Sequence, residues 1–67
     1  YKDKYESDLF RAVMQLPAKY RIVIELYYYE GYKLKEIAQI LKRKETTVRQ
    51  QIARAREQLR KSLTEEI

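Results

Sequence analysis

Neither cysteine nor histidine occurs in this chain. Their absence excludes disulfides, thiol nucleophiles and the usual zinc ligands, and leaves any metal only carboxylates and water. Metal centres and hydrolase triads are poor readings from the start, and no cofactor is expected. Long apolar runs are missing too. No stretch approaches the roughly 20 residues needed to span a bilayer, so the chain reads as soluble, with no membrane partner. The opening YKDKYESD has neither a signal-type apolar region nor an initiator methionine, as expected of a domain excised from something longer. Carboxylates such as Glu25 and Glu30 have the chemistry for acid/base work, but no nucleophile or metal constellation accompanies them. The sequence therefore reads as non-enzymatic. Its 67 residues suffice for one small domain, 1–67, and a chain this short buries only roughly 60% of its unfolded surface.

The charge that is present is unevenly placed. Up to Gly31, Lys2, Lys4, Arg11, Lys19 and Arg21 are balanced by Asp3, Glu6, Asp8, Glu25 and Glu30. Beyond it, ten basic residues face only Glu36, Glu45, Glu57, Glu65 and Glu66, so the whole net charge of +5 lies in the second half. Such asymmetry points to a polyanionic partner, nucleic acid above all, although a solvated helix face gives the same composition.

Apolar spacing divides the chain into four helices. Leu9, Val13 and Leu16, with Phe10 and Met14 beside them, predict a first helix over about 4–15, with Ser7 or Asp8 able to cap a shorter version. The single proline, Pro17, ends it and suits the first position of a second helix, 17–30. That segment, YRIVIELYYYE, is rich in strand formers. It is too long and too poorly alternating for a strand, however, and Tyr20, Val23 and Tyr27 with Leu26 and Glu30 fit a helical repeat. Gly31, the single glycine, follows the last periodic residue and is expected as a left-handed cap. A short third helix, 34–41, carries Leu34, Ile37, Ala38 and Leu41 on one face, with Ile40 at its edge. After the apolar-free Lys42, Arg43, Lys44 and Glu45, a fourth helix, 46–63, carries Val48, Ile52, Ala55, Leu59 and Leu63 in one stripe. Thr64 to Ile67 are expected to fray. The fold class that follows is all-α: a small four-helix domain with a C-terminal helix-turn-helix and no winged element.

The second helix of that pair is the candidate reader. At about 100° per residue, the side chains pointing most directly away from its apolar stripe are Thr46, Gln50, Ala53, Arg54, Glu57 and Lys61, with Thr47 and Arg49 flanking them. That chemistry suits a DNA major groove. An amide pairs with adenine, a guanidinium with guanine, a hydroxyl with either, and a small apolar group touches a thymine methyl. Thr46, Arg49, Gln50 and Ala53 are accordingly the candidate base contacts. Arg21, Lys33, Lys35, Lys42, Arg43, Lys44, Thr47, Arg54 and Arg56 are the candidate phosphate contacts, which orient a domain without reading sequence. Taken singly, each Arg or Lys is better explained by a solvated surface whose stems cover Leu59 and Leu63. Taken as a set, they favour DNA.

LPAKYRIVIELYYYEGYKLKEIAQIL, followed by TVRQQIARAREQLR, is similar to region 4 of the sigma-70 family, especially its small extracytoplasmic-function group. Leu16-Pro17, Arg21, Glu30-Gly31, Glu36-Ile37-Ala38, Thr47-Val48 and Arg54-Ala55-Arg56 carry the likeness, which covers about Leu9 to Leu63. The resemblance implies a promoter-reading domain of an alternative sigma factor. Such a domain binds the minus-35 element of double-stranded promoter DNA and docks on the flap of the RNA polymerase beta subunit, with an anti-sigma protein as a further partner. It implies a bacterial, cytoplasmic, nucleoid-associated setting, base-facing positions for Arg49, Gln50 and Ala53, and a backbone position for Arg54. Two other readings stand beside it. One is a response-regulator-type DNA-binding output domain, which shares the EIA-like helix. The other is a protein-interaction module with a degenerate helix-turn-helix.

The chain departs from the family pattern in its turn. Where a glycine, an apolar residue and a Ser or Thr cap are usual, it has Lys42, Arg43 and Lys44, and Lys33 stands where a capping hydroxyl is common. Lysine cannot accept a bond from the orphan donors of a helix N-terminus, and its charge opposes the dipole there. Two readings remain open: lysines that weaken the free domain but attract phosphates, or drift in a tolerant turn. The tyrosines also divide. Tyr20 and Tyr27 or Tyr28 are expected as packing, whereas Tyr28, Tyr29 and Tyr32 are candidates for an aromatic docking patch.

Overall fold

Pro17 stops one helix and starts the next from just outside both. In the computed structural model, which describes the backbone of residues 2–65 and the side chains of residues 8–63, helix α1 runs Lys2–Met14. Helix α2 runs Ala18–Ile24, with Pro17 at its N-cap in an extended conformation, φ −53° and ψ 147°. The proline therefore lies one residue earlier than the first helical position. Its carbonyl accepts the N–H groups of Tyr20 and Arg21, each at 2.9 Å, a duty that its lack of a donor leaves unaffected. Ser7 and Asp8 fall inside α1 rather than at its start, because the helix begins well before them. At the other end of α1, Nη1 of Arg21 donates to the carbonyl of Met14 at 3.0 Å, satisfying one of the orphan acceptors of the last turn.

The strand formers of YRIVIELYYYE do fold as helix, with a change of pitch. From Glu25 to Tyr29 the helix widens to a π-type turn, so that the N–H of Glu30 reaches the carbonyl of Glu25 at 3.0 Å. The N–H of Tyr32 then closes on the carbonyl of Leu26 at 3.0 Å, one residue wider than the usual glycine-capped ending. Gly31 sits at this closure with φ +80°, the left-handed cap its position predicts. Periodicity gives no sign of the wide turn, because it lies at the end of the helix, with too few residues beyond it to reveal the shifted register.

Helix α3 spans Leu34–Leu41, as the sequence predicts, and α4 spans Glu45–Glu65. The fourth helix thus starts one residue before Thr46, with the carboxylate of Glu45 in its first turn, where the helix dipole favours it. It continues through Thr64 and Glu65, where fraying was expected. Glu66 and Ile67 lie outside the described residues.

Two apolar clusters sit on opposite sides of α2. The first joins Val13, Leu16, Tyr20, Ile24 and Ala55, with Leu9 and Leu59 packed against it. The second joins Val23, Ile37, Ala38, Val48 and Ile52, flanked by Leu26, Tyr27, Leu34 and Leu41. Helix α2 has two apolar sides, Tyr20 and Ile24 serving the first cluster and Val23 the second, and α4 is long because it closes both. The first half of α4 packs on the helix-turn-helix and the second half on α1. Val23, Ile37, Val48 and Ala55 are fully buried, so α4 is fixed in place from beneath.

Candidate nucleic-acid interface

Helices α3 and α4 meet across the second cluster. The small side chain of Ala38 is buried in that cluster with Val48 and Ile52. With Val48 and Ile52 inward, the rotation of α4 is set, and the residues on its other side must face solvent. They do: Thr46, Arg49, Gln50, Ala53 and Arg54 are all exposed, and Thr47 is half-buried.

The basic residues proposed for phosphates fall into two groups. Lys33, Lys35, Lys42, Lys44, Arg54 and Arg56 are exposed. A shallow groove lined by Tyr27, Leu34, Arg49, Ile52, Ala53 and Arg56 brings three α4 residues at positions i, i+4 and i+7 into one stripe. A second, lined by Tyr27, Gly31, Tyr32, Lys33, Leu34, Lys35 and Glu45, carries the basic surface from the start of α3 to the start of α4. Arg21 and Arg43 are different. Both are half-buried, and both guanidinium groups already hold a partner, Arg21 the carbonyl of Met14 and Arg43 the side chain of Gln51 at 2.8 Å. Arg21 also stands apart from the rest, at the junction of α1 and α2.

The two lysine departures have distinct backbone consequences. Lys42 adopts φ 55° and ψ 47°, a left-handed conformation that disfavours any side chain with a Cβ. It is occupied here because the N–H of Arg43 closes α3 on the carbonyl of Ala38 at 2.9 Å. Lys44 supplies its carbonyl to the N–H of Val48 at 3.0 Å, which makes it the N-cap of α4 without an accepting side chain. At α3, Lys33 likewise has no acceptor to offer, but Glu36 Oε1 accepts the backbone N–H of Lys33 at 2.8 Å. Half of a capping box therefore survives.

Ion pairs on α4 are exposed and local. Arg49 lies 3.4 Å from Glu45 one turn back, and Arg60 lies 2.6 Å from Glu57. The hydrogen bond and charge of Arg60 hold the Glu57 carboxyl below the usual carboxylate range. Exposed pairs of this kind add little to stability. Their effect is to hold a guanidinium in one place and to add negative charge beside the positive surface.

Sequence reasoning missed two members of this surface. Tyr27 reads as packing, and it does pack, yet its ring also walls both grooves beside the reader helix. Gln51 gives no signal at all. Its partner lies eight residues away across a turn, and only the bend of the chain brings the two together.

The family model described as Sigma-70, region 4 matches residues 7–59. Over 66 residues the chain is 39% identical to the RNA polymerase sigma factor SigV of Bacillus subtilis (strain 168). That alignment covers 98% of this chain and 38% of the relative, so the chain spans well under half of the protein it matches.

Proposed function

The chain belongs to the sigma-70 region 4 family, and from that premise we propose that it is the domain through which an alternative sigma factor reads the minus-35 element of promoter DNA. The observation that carries this reading is the two-sided fourth helix. Val48, Ile52 and Ala55 are buried almost completely, and Thr46, Arg49, Gln50 and Ala53 on the opposite side are exposed, Arg49 in a solvent-facing pair with Glu45. Those four are the proposed base contacts. Lys33, Lys35, Lys42, Lys44, Thr47, Arg54 and Arg56 are the proposed phosphate contacts. Arg21 and Arg43, the other two candidates, have their guanidinium hydrogen bonds turned inward. The domain acts in the bacterial cytoplasm at the nucleoid, and catalysis belongs to the polymerase it recruits.

Selection of bound duplexes from a random pool at fixed salt, followed by a salt titration of the winners, tests this directly. One short motif should be enriched, and affinity should fall steeply as salt rises. Recovery of the unselected pool composition sinks the proposal.

A second face supports a protein contact as well. Between α1, the wide turn and α4 lies an apolar cleft of about 330 Å³ lined by Leu9, Val13, Ile24, Tyr28, Tyr29 and Leu59, with Arg56 and Arg60 at its rim. Tyr28 and Tyr29 in it, and Phe10 and Met14 in the neighbouring hollow, are each about half exposed, and apolar side chains exposed together are the mark of a docking surface. The partner proposed for it is the flap of the RNA polymerase beta subunit, with an anti-sigma protein as its competitor.

A further inference from the structure

Arg43 serves the turn twice. Its backbone N–H closes α3 on Ala38, and its Nη1 donates to Oε1 of Gln51 at 2.8 Å, eight residues further on. Both side chains are half-buried, whereas the flanking Lys42 and Lys44 are exposed. A charged hydrogen bond partly withdrawn from water is held more firmly than an exposed one.

The bond also lies where the backbone gives least support. Lys42 is in a conformation that opposes its side chain, and Lys44 caps α4 without an acceptor of its own. Neither device that ordinarily fixes a helix-turn-helix from within the turn is present. Gln50 and Gln51 then divide the work of two adjacent amides: Gln50 is exposed on the reading face, and Gln51 faces back toward the turn.

We propose that Arg43 is a positioning residue which, through Gln51, fixes the angle between the lysine-bearing turn and the base-reading face of α4. This rests on the promoter-reading proposal. A brace of this kind does not change how many phosphates are held. It changes whether Arg49, Gln50 and Ala53 reach the base edges in register while Lys42 and Lys44 hold the backbone.

The test compares the 67-residue chain with Arg43→Met, Gln51→Leu, the double variant and Gln51→Glu on the selected duplex and on single-base changes of it. Arg43→Met and Gln51→Leu should each lower discrimination by a similar factor, about threefold to tenfold, and the double variant should do no worse than either. Gln51→Glu, which keeps the acceptor, should retain discrimination, and the salt slope should be the same for Arg43→Met and Gln51→Leu as for the parent. If Gln51→Leu does not fold, Gln51→Ala removes the acceptor without adding apolar bulk. The proposal is overturned if Arg43→Met lowers the salt slope by about 0.9, the share of one phosphate, while Gln51→Leu changes nothing, or if the two losses multiply. Should the parent chain select no motif, promoter reading and the brace fall together. A parent that selects normally beside indifferent variants removes the brace alone.

Discussion

The backbone N–H of Arg43 meets the carbonyl of Ala38 at 2.9 Å, and between them Lys42 is held at φ 55°. A left-handed residue with a Cβ costs about 1–2 kcal/mol, of which glycine's greater unfolded-state freedom gives back roughly half. Lys42→Gly should therefore stabilise the domain by about 0.5–1 kcal/mol, a rise in Tm of roughly 2–8 °C for a chain this small. Lys42→Val should move the other way, since a branched Cβ suits this conformation least. Thermal unfolding followed by circular dichroism decides it, and an unchanged or lowered Tm for Lys42→Gly contradicts the strain argument.

Lys44 separates stability from binding. It holds the N-cap of α4 and has no acceptor for the free N–H groups there, so Lys44→Ser should stabilise the fold by about 1 kcal/mol. If the lysine holds a phosphate, the same substitution should make the dependence of log K on log salt shallower by about 0.9. A more stable variant with an unchanged slope supports the alternative, a turn whose lysines carry no contact.

Most of the fold is legible in the sequence because burial is periodic. The stripe Val48, Ile52, Ala55 and Leu59 predicts which side of α4 is covered, and those residues are buried or half-buried. The helix over YRIVIELYYYE is legible for the same reason, against its strand propensity, since α2 must feed two clusters at once. What the sequence leaves unread are bonds between residues that a turn brings together. Arg21 with Met14 and Arg43 with Gln51 span seven and eight residues, and no periodicity marks them. The wide turn at Glu25–Tyr29 is invisible likewise, yet it decides that Tyr27 turns toward the reader helix while Tyr28 and Tyr29 line the apolar cleft.

Base and phosphate contacts should part cleanly in a mutant series. Arg49→Ala or Gln50→Ala should flatten the preference at one base pair by about 1–3 kcal/mol and leave the other positions alone. Arg54→Ala should weaken every duplex alike and reduce the salt slope by about one contact. Binding to a panel of single-base variants at two salt concentrations distinguishes the outcomes. A uniform loss for Gln50→Ala contradicts its place on the reading face.

Tyr29 offers a separation of the two faces. Its ring lies half exposed in the apolar cleft and the neighbouring hollow beside Phe10 and Met14, away from the exposed stripe of α4. Tyr29→Ala should weaken binding to an isolated polymerase flap fragment at least tenfold, as an aromatic anchor of about 2 kcal/mol or more does. Its affinity for the selected duplex should stay within about twofold, since Tyr29 is not among the proposed DNA contacts and the substitution leaves Arg56, at the rim of the cleft, in place. Equal loss on both partners argues that the substitution disturbs the fold rather than a docking surface.

The Glu57–Arg60 pair sets a pH dependence whose sign is fixed by the geometry. Arg60 donates to Glu57 at 2.6 Å, and this bond, reinforced by the positive charge of Arg60, holds the carboxyl below its ordinary value. A depressed carboxylate contributes its stabilisation fully above the unfolded-state pKa and loses it as pH falls through the lowered folded value. Helix α4 should therefore keep this contribution at neutral pH and lose it only below the usual carboxylate range. Both side chains are largely exposed, so the effect belongs to local helix order rather than global stability, and salt should weaken it. Carboxyl-detected NMR titration should give Glu57 a lower midpoint than an ordinary glutamate, and Arg60→Ala should return it to the ordinary range. A midpoint indifferent to Arg60→Ala means that the pair seen here does not persist in solution.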